Sequence, residues 1–200
     1  GDGKANQYFL RGFNLDHGTD FATRVDSVPV NLPTHGHGHG YTDLNFLMPE
    51  LVERIHYRKG PYFADNGDFS TAGAADIVLR DRLDGPLASI TLGEHGYGRV
   101  FAAGSVATTS GDWLAAFEHR VGDGPWVEPA DLRRDNALLR YSERRGADRL
   151  GVTAMFHDSR WRATDQVPLR AIESGLIDRF GSLDPTDGGR TRRASLSANL

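Results

Sequence analysis

From Pro86 onward the chain alternates. Ala88, Ile90 and Leu92 fall on one side of an extended backbone and Ser89, Thr91 and Gly93 on the other, the two-residue period of a strand. The same period returns in Val100, Ala102, Gly104 and Val106; in Trp113, Ala115 and Phe117; in Ala137, Leu139 and Tyr141; in Leu150, Val152, Ala154 and Phe156; and in Ala194, Leu196, Ala198 and Leu200. The other faces of these six segments carry Arg120, Arg140, Ser142, Thr153, His157, Ser195, Ser197 and Asn199, which suits the wet lumen of a barrel better than the dry core of a sandwich. Mean hydropathy is -0.47 and no apolar run approaches the ~20 residues of a membrane helix, so a helical membrane protein is excluded. A membrane β-barrel is not, because alternation averages out any hydropathy window. A net charge of -4 leaves no broad basic footprint, so no nucleic-acid partner is expected. There are no cysteines, and the redox compartment is therefore not readable from the chain.

The connections between these segments alternate in length. Glu94 to Gly98 is short, Thr108 to Gly111 is a turn, Val121 to Asp135 is long, Arg144 to Asp148 is short, and Ser159 to Thr191 is very long. Bacterial barrels have short periplasmic turns and longer external loops, and four of the five connections follow that rule if the first strand rises from the periplasm. Before Asp84-Gly85-Pro86 the texture differs, with glycine-punctuated sequence and short β-branched runs such as Thr23-Arg24-Val25-Asp26 and Ile77-Val78-Leu79. Leu47, Leu51 and Ile55 lie at helical spacing, so one helix is expected over 44–54, with Pro49 near its first turn. The predicted fold is therefore a small α+β domain over 1–84, followed by antiparallel strands over 85–200.

Three motifs punctuate the first part: Arg11-Gly12 within Tyr8 to Phe13, Asp26-Ser27-Val28-Pro29-Val30, and Lys59-Gly60-Pro61 followed by Gly67 and Gly73. In this order and spacing they resemble the plug domain of TonB-dependent outer-membrane receptors, which has an Arg-Gly motif, a Val-Asp-Gly-Val-Pro hairpin and an Arg-Gly-Pro motif. The later stretches Gly122 to Trp126 and Thr164 to Gly189 resemble external loops of that family, so the likeness runs over essentially the whole chain. The resemblance implies a plug domain, its N-terminal part missing, leading into the first six strands of an incomplete transmembrane β-barrel. It implies location in the bacterial outer membrane, contact with outer-membrane lipid, and import of a small scarce nutrient such as a siderophore or other metal chelate. No enzymatic activity and no cofactor are implied. The TonB system would act through a segment preceding Gly1, since no leader is visible and the last alternation runs to Leu200, which reads as an internal fragment. The alternative is a soluble β-rich carbohydrate- or metal-binding module.

In the family the two motif arginines face barrel carboxylates and latch the plug. Arg11 and Lys59 are the matching positions, with partners expected on strands after residue 200. Lysine keeps the charge but not the rigid two-pronged fork, so this half of the latch should be looser. Ser27 stands where the family has a turn glycine, which calls for a turn without positive φ there or for some strain.

Thr34-His35-Gly36-His37-Gly38-His39-Gly40-Tyr41 is the loudest local feature. His35, His37 and His39 offer imidazoles to a borderline metal, yet the alternating glycines make the segment costly to order. A hydrolase metal motif, His-x-His-x-Asp-His, fails here because His39 and Gly40 occupy its last two positions. The segment is read as a plug loop facing ligand or periplasm, and His35, His37, His39 and Tyr41, with Trp126 from a later loop, are the ligand-facing candidates. Asp65, Asp68 and Asp76 lack the spacing of a calcium loop. Trp113, Trp126, Trp161, Tyr97, Tyr141 and Phe156 are candidates for an aromatic belt at a membrane interface.

Overall fold

A computed structural model of the chain describes residues 6, 8–15, 18–34, 40–163 and 166–200. Its first part is built from hairpins. β1 (Tyr8–Leu10) and β2 (Phe13–Leu15) pair through the two-residue turn Arg11-Gly12, and β3 (Phe21–Val25) and β4 (Val28–Pro29) through Asp26-Ser27. Both turns have positive φ at both central residues: 54° and 84° in the first, 47° and 67° in the second. Such turns match the twist of the flanking strands, and aspartate tolerates the left-handed conformation better than most side chains. Ser27 thus adopts the positive φ that glycine would take freely. Of the two outcomes expected there, the strained one is found.

β3 then pairs in parallel with β6 (Gly73–Leu79), whose other neighbour is antiparallel β5 (Val52–Lys59), giving a four-stranded sheet ordered β4-β3-β6-β5. The helix expected over 44–54 does not form. Pro49 opens only a three-residue 3-10 turn, Pro49–Leu51, and the chain goes straight into β5. Two local causes compete with the helical spacing. Asp43 turns the chain by accepting the Asn45 amide at 2.7 Å, and no side chain caps the turn at Pro49. The apolar residues of this stretch serve tertiary packing instead, with Phe46, Met48 and Leu51 buried.

The second part is one antiparallel sheet of six strands in sequence order, β7 (Leu87–Leu92), β8 (Gly98–Ala107), β9 (Asp112–Gly122), β10 (Leu132–Arg145), β11 (Asp148–Arg162) and β12 (Gly188–Asn199). Each expected strand is present, and most are longer than the alternation alone marked. Strands β8 to β12 run 10 to 15 residues, longer than most strands of globular proteins and long enough to cross a bilayer at a tilt. The connections are 93–97, 123–131 and 163–187 at one end of the sheet and 108–111 and 146–147 at the other. A single helical turn, α1 (Leu169–Glu173), lies in the longest of them. The fold is therefore the expected one, a plug domain set against antiparallel barrel strands, with the barrel not closed.

Candidate functional site: the plug–wall interface

The register sorts the wall into two faces. Directly opposed residues form rows across β8 to β12, and the rows with Gly104, Ala115, Leu139, Ala154 and Leu196, or with Phe117, Ala137, Phe156 and Ala194, are the apolar sets read from the sequence. These residues point away from the plug. The outward face is exposed, with Ile90 at 75%, Leu92 at 81% and Leu196 at 77%. Trp113 packs on Tyr141 at 5.0 Å at the turn end of this face, while Phe117 and Phe156 stand on it toward the loop end. Of the residues read as belt candidates, Trp113, Tyr141 and Phe156 therefore stand on the outward face. Trp126 instead packs on Phe180 at 6.3 Å between two loops, Tyr97 lies under Arg120 at 5.1 Å, and Trp161 is on the inward register, one strand from Gly189.

The inward face is polar, and the plug buries it in three tiers. Nearest the short turns, Arg140 of β10 is fully buried, pairs with Asp26 of the β3–β4 turn and donates to Asp81 at 3.0 and 3.2 Å. Arg149 of β11 also donates to Asp81, at 2.5 Å, and Thr153 accepts from Arg140 at 2.6 Å. Asp26 has a second task, since its other oxygen accepts the Leu79 amide at 2.9 Å and so ties the turn to β6. Burial raises the Asp81 pKa, but the hydrogen bonds from Arg149 and Arg140 outweigh it and leave the carboxyl below its ordinary value.

The middle tier is apolar. Val25, Val30, Phe46, Met48, Leu51, Ile77, Leu79 and Leu83 of the plug form one buried cluster with Phe101, Ala103, Leu114, Ala116 and Leu138 of the wall. The sequence reading named only polar residues on the inward faces, and this tier adds an apolar patch among them. A plug with its own apolar face needs a dry patch on the wall to cover it.

The upper tier, toward the loops, is a charge network. Glu50 takes two bonds from Arg99 of β8 at 2.7 and 3.0 Å, which holds its carboxyl below its ordinary pKa. Arg99 also donates to buried Glu118 of β9 at 2.6 Å. Asn136 bridges Glu118, the backbone oxygen of Asn45 and His157, at 2.9, 2.9 and 2.6 Å, while Arg134 reaches the Asn45 side chain at 3.0 Å. Arg193 of β12 lies over the Phe46 ring at 4.5 Å. At the top, Tyr41 bridges back to Leu32 and shares a hydrogen bond with Thr191 of β12. Burial, then the nearby Asp43 carboxylate, push the Tyr41 phenol up to about 12 against that bond.

The motif residues fall in separate places. Arg11 is exposed in its turn and meets no carboxylate among the described residues. Lys59 is exposed at the end of β5, above the Tyr57 ring at 5.8 Å, and Gly60 and Pro61 follow it. Its neighbour Arg58 is engaged by Asp65 at 2.9 and 3.0 Å. Gly67 follows a short 3-10 turn and Gly73 opens β6, where its φ of 150° lets the backbone pass close to Arg58. Asp65 faces Arg58 and Asp76 faces Arg24 at 3.5 Å, and no metal-binding group occurs among the described residues. His35, His37 and His39 lie outside the described residues. Asp81, Glu50, Arg99, Arg140 and Arg149 were not singled out from the sequence as contacts, although together they make the interface.

The comparisons agree with this geometry. Residues 1–74 match the family model of the TonB-dependent receptor plug domain. Among solved structures, the chain is similar to the siderophore receptor PiuA of Acinetobacter baumannii, with a TM-score of 0.60 at 16% identity, over 84% of this chain and 23% of that one. It is also similar to the ferric-catecholate import receptor Fiu of E. coli, with a TM-score of 0.63 at 15% identity, over 96% of this chain and 30% of that one. The chain thus spans less than a third of either structure. Residues 1–74 thus match the plug domain of TonB-dependent receptors, and here that domain packs on the inward face of antiparallel strands, the fold shared with the two receptor structures.

Proposed function

We propose that this chain is part of an outer-membrane importer that binds a ferric chelate at its loop end and is opened through the TonB system. Residues 1–84 act as the plug and 85–200 as the first strands of a barrel of about 22 strands. The observation that carries the reading is the inverted polarity of the wall. Its apolar face is exposed while Arg140, Asn136 and Glu118 on the other face are buried at 0%, 0% and 1%. A soluble carbohydrate- or metal-binding module would bury the apolar face and solvate the polar one. In lipid the cost of the exposed face disappears.

The ligand class rests on the two relatives described as siderophore and ferric-catecholate receptors, and on the loop-end position of Leu32, Tyr41 and Trp126. His35, His37 and His39, between Leu32 and Tyr41 in sequence, are the ligand-facing candidates of that segment. Exposed β5, with Ile55 and Tyr57 at 55% and 64%, is the surface that the remaining strands would cover, and there Lys59 would find its carboxylate. The role is transport, not catalysis.

The test is uptake. Cells that depend on the parent receptor for iron should accumulate radiolabelled iron from ferric catecholates or hydroxamates, and a protonophore or loss of TonB should abolish it. Energy-independent accumulation, or none with any ferric chelate, would refute the import reading.

A further inference from the structure

The outward face is not flat toward the short turns. Its rows mix large and small side chains, with Trp113, Tyr141 and Val152 in one and Ala115, Leu139, Ala154 and Leu196 in the next. Where Ala154 stands between Leu139 and Leu196, the small side chain opens a groove of about 360 Å³ along β11. Val152 and Ala154 form its floor, Leu139, Tyr141 and Trp113 one bank, and Leu196 the other. All of these residues lie on β9 to β12, so the groove is complete without any later strand.

One end of the groove leads to a charged mouth. Beyond Val152 the outward residues of β11 are Leu150 and Asp148, and directly opposite them on β10 stand Glu143 and Arg145. Opposite charges placed like Arg145 and Asp148 have Cβ atoms only ~5 Å apart and ordinarily pair with each other. Here they do not. Arg145 turns back to Glu143, giving it Nε at 2.6 Å and Nη2 at 3.2 Å, and its Nη1 has no partner among the described residues. Glu143 also accepts the Tyr141 hydroxyl at 3.0 Å. Asp148 is exposed and has no ion-pair partner among the described residues. The mouth thus sets one guanidinium donor beside one free carboxylate, and with Glu143 its two acids and one arginine sum to -1.

Depth and charge together identify the occupant. From Val152 to Asp148 the strand rises ~13 Å, about 10 Å along the membrane normal at the usual barrel tilt, so a lipid with a chain in the groove brings its headgroup to Asp148 and Arg145. This is the end of the sheet with the short turns 108–111 and 146–147, the periplasmic side of a bacterial barrel. A chain gains little by leaving other lipid for the wall, since both are apolar, so the groove contributes packing and the mouth selects the headgroup. A mouth of net charge -1 disfavours a headgroup that carries phosphate alone. A headgroup with a phosphate and a primary ammonium on one short linker fits, the phosphate on Arg145 Nη1 and the ammonium, with its three donors, on Asp148. We infer that this groove and its mouth bind a phosphatidylethanolamine of the periplasmic leaflet, an inference that rests on the outer-membrane reading above.

The test uses the full-length receptor in detergent, with phosphatidylethanolamine, phosphatidylcholine and phosphatidylglycerol of identical chains as probes and native mass spectrometry as the readout. Wild type should retain phosphatidylethanolamine over the other two, because methylation removes the ammonium donors and glycerol brings no cation. Asp148→Asn should weaken that retention about fivefold, the effect of one charge near a membrane surface, and should not weaken phosphatidylglycerol. Ala154→Phe, which fills the groove and leaves the mouth intact, should also weaken phosphatidylethanolamine. Glu94→Gln, exposed at the other end of the sheet, should change nothing. Equal retention of the three lipids by wild type, undiminished retention in Asp148→Asn or Ala154→Phe, or a receptor dimer that excludes lipid would overturn the inference. The heat-modifiable migration of a folded barrel, followed on the same samples, keeps the two readings apart. If the barrel folds and the lipids are not distinguished, only the lipid site fails, whereas absence of any heat-modifiable form would overturn both.

Discussion

Asp26 does three things at once: it takes the left-handed corner of a tight turn, accepts the Leu79 amide, and pairs with Arg140 across the plug–wall boundary. A short acidic side chain is one of the few that can do all three. Its partner Arg140 gives the more direct test. Arg140→Leu would leave Asp26 and Asp81 without their buried cation, although Arg149 still reaches Asp81. Breaking a buried pair in this way typically costs about 3–5 kcal/mol, and the parent receptor should show that loss as a lower urea midpoint with earlier release of the plug. The acids also set a pH dependence. The folded-state pKa values of Asp81 and Glu50 lie below their ordinary values of 3.8 and 4.5. Their contribution is therefore complete above those values and is lost as pH falls through the lower folded ones. The melting temperature of the plug–wall unit should change little from neutrality down to about pH 5 and fall steeply only below about pH 4. A fall already near neutrality would mean that other groups hold the plug.

At the scale of elements, the wall strands were legible and the contacts of the plug were not. Alternation between Trp113, Ala115 and Phe117, or between Val152, Ala154 and Phe156, marks both the strand and the face, because a two-residue period has one geometrical meaning. The register then placed those residues side by side. The helix expected from Leu47, Leu51 and Ile55 failed because spacing cannot tell a helical stripe from apolar residues that separately enter a tertiary core. The latch was illegible for another reason. Arg99 meets Glu50 and Arg140 meets Asp26 across 49 and 114 residues, and one sequence carries no signal for such a pairing. The motif arginine and lysine drew attention to Arg11 and Lys59, while the charges that join plug to wall run the other way, from plug carboxylates to wall arginines. The strand reading has its own test. Leu139 lies on the central apolar row of β10, and Leu139→Arg in a lipid bilayer should cost about 2–4 kcal/mol of barrel stability. A cost near zero would mean that the face is in water.

For the whole molecule, the inverted polarity of the wall and the tiered packing of the plug go together, since the plug covers the polar face and leaves the apolar one open. Charges on the outward face bound the apolar band. Asp148 and Asp158 on the outward face of β11 are ten residues apart, ~33 Å of strand and ~25 Å along the normal at barrel tilt, which matches the height of a lipid-facing band. Between them the outward residues Leu150, Val152, Ala154 and Phe156 are apolar. These 200 residues contain no cysteine, so within them each introduced probe is unique, and any cysteine elsewhere in the receptor is replaced first. The most direct measurement is a cysteine scan over 136–141 of β10 in the full-length receptor, reconstituted in vesicles and labelled with a fluorophore that a lipid-borne quencher can reach. Probes at 137, 139 and 141 should be quenched, and those at 136, 138 and 140, facing the plug, should not. Quenching without that two-residue period, or confined to 136, 138 and 140, would contradict the membrane-barrel account.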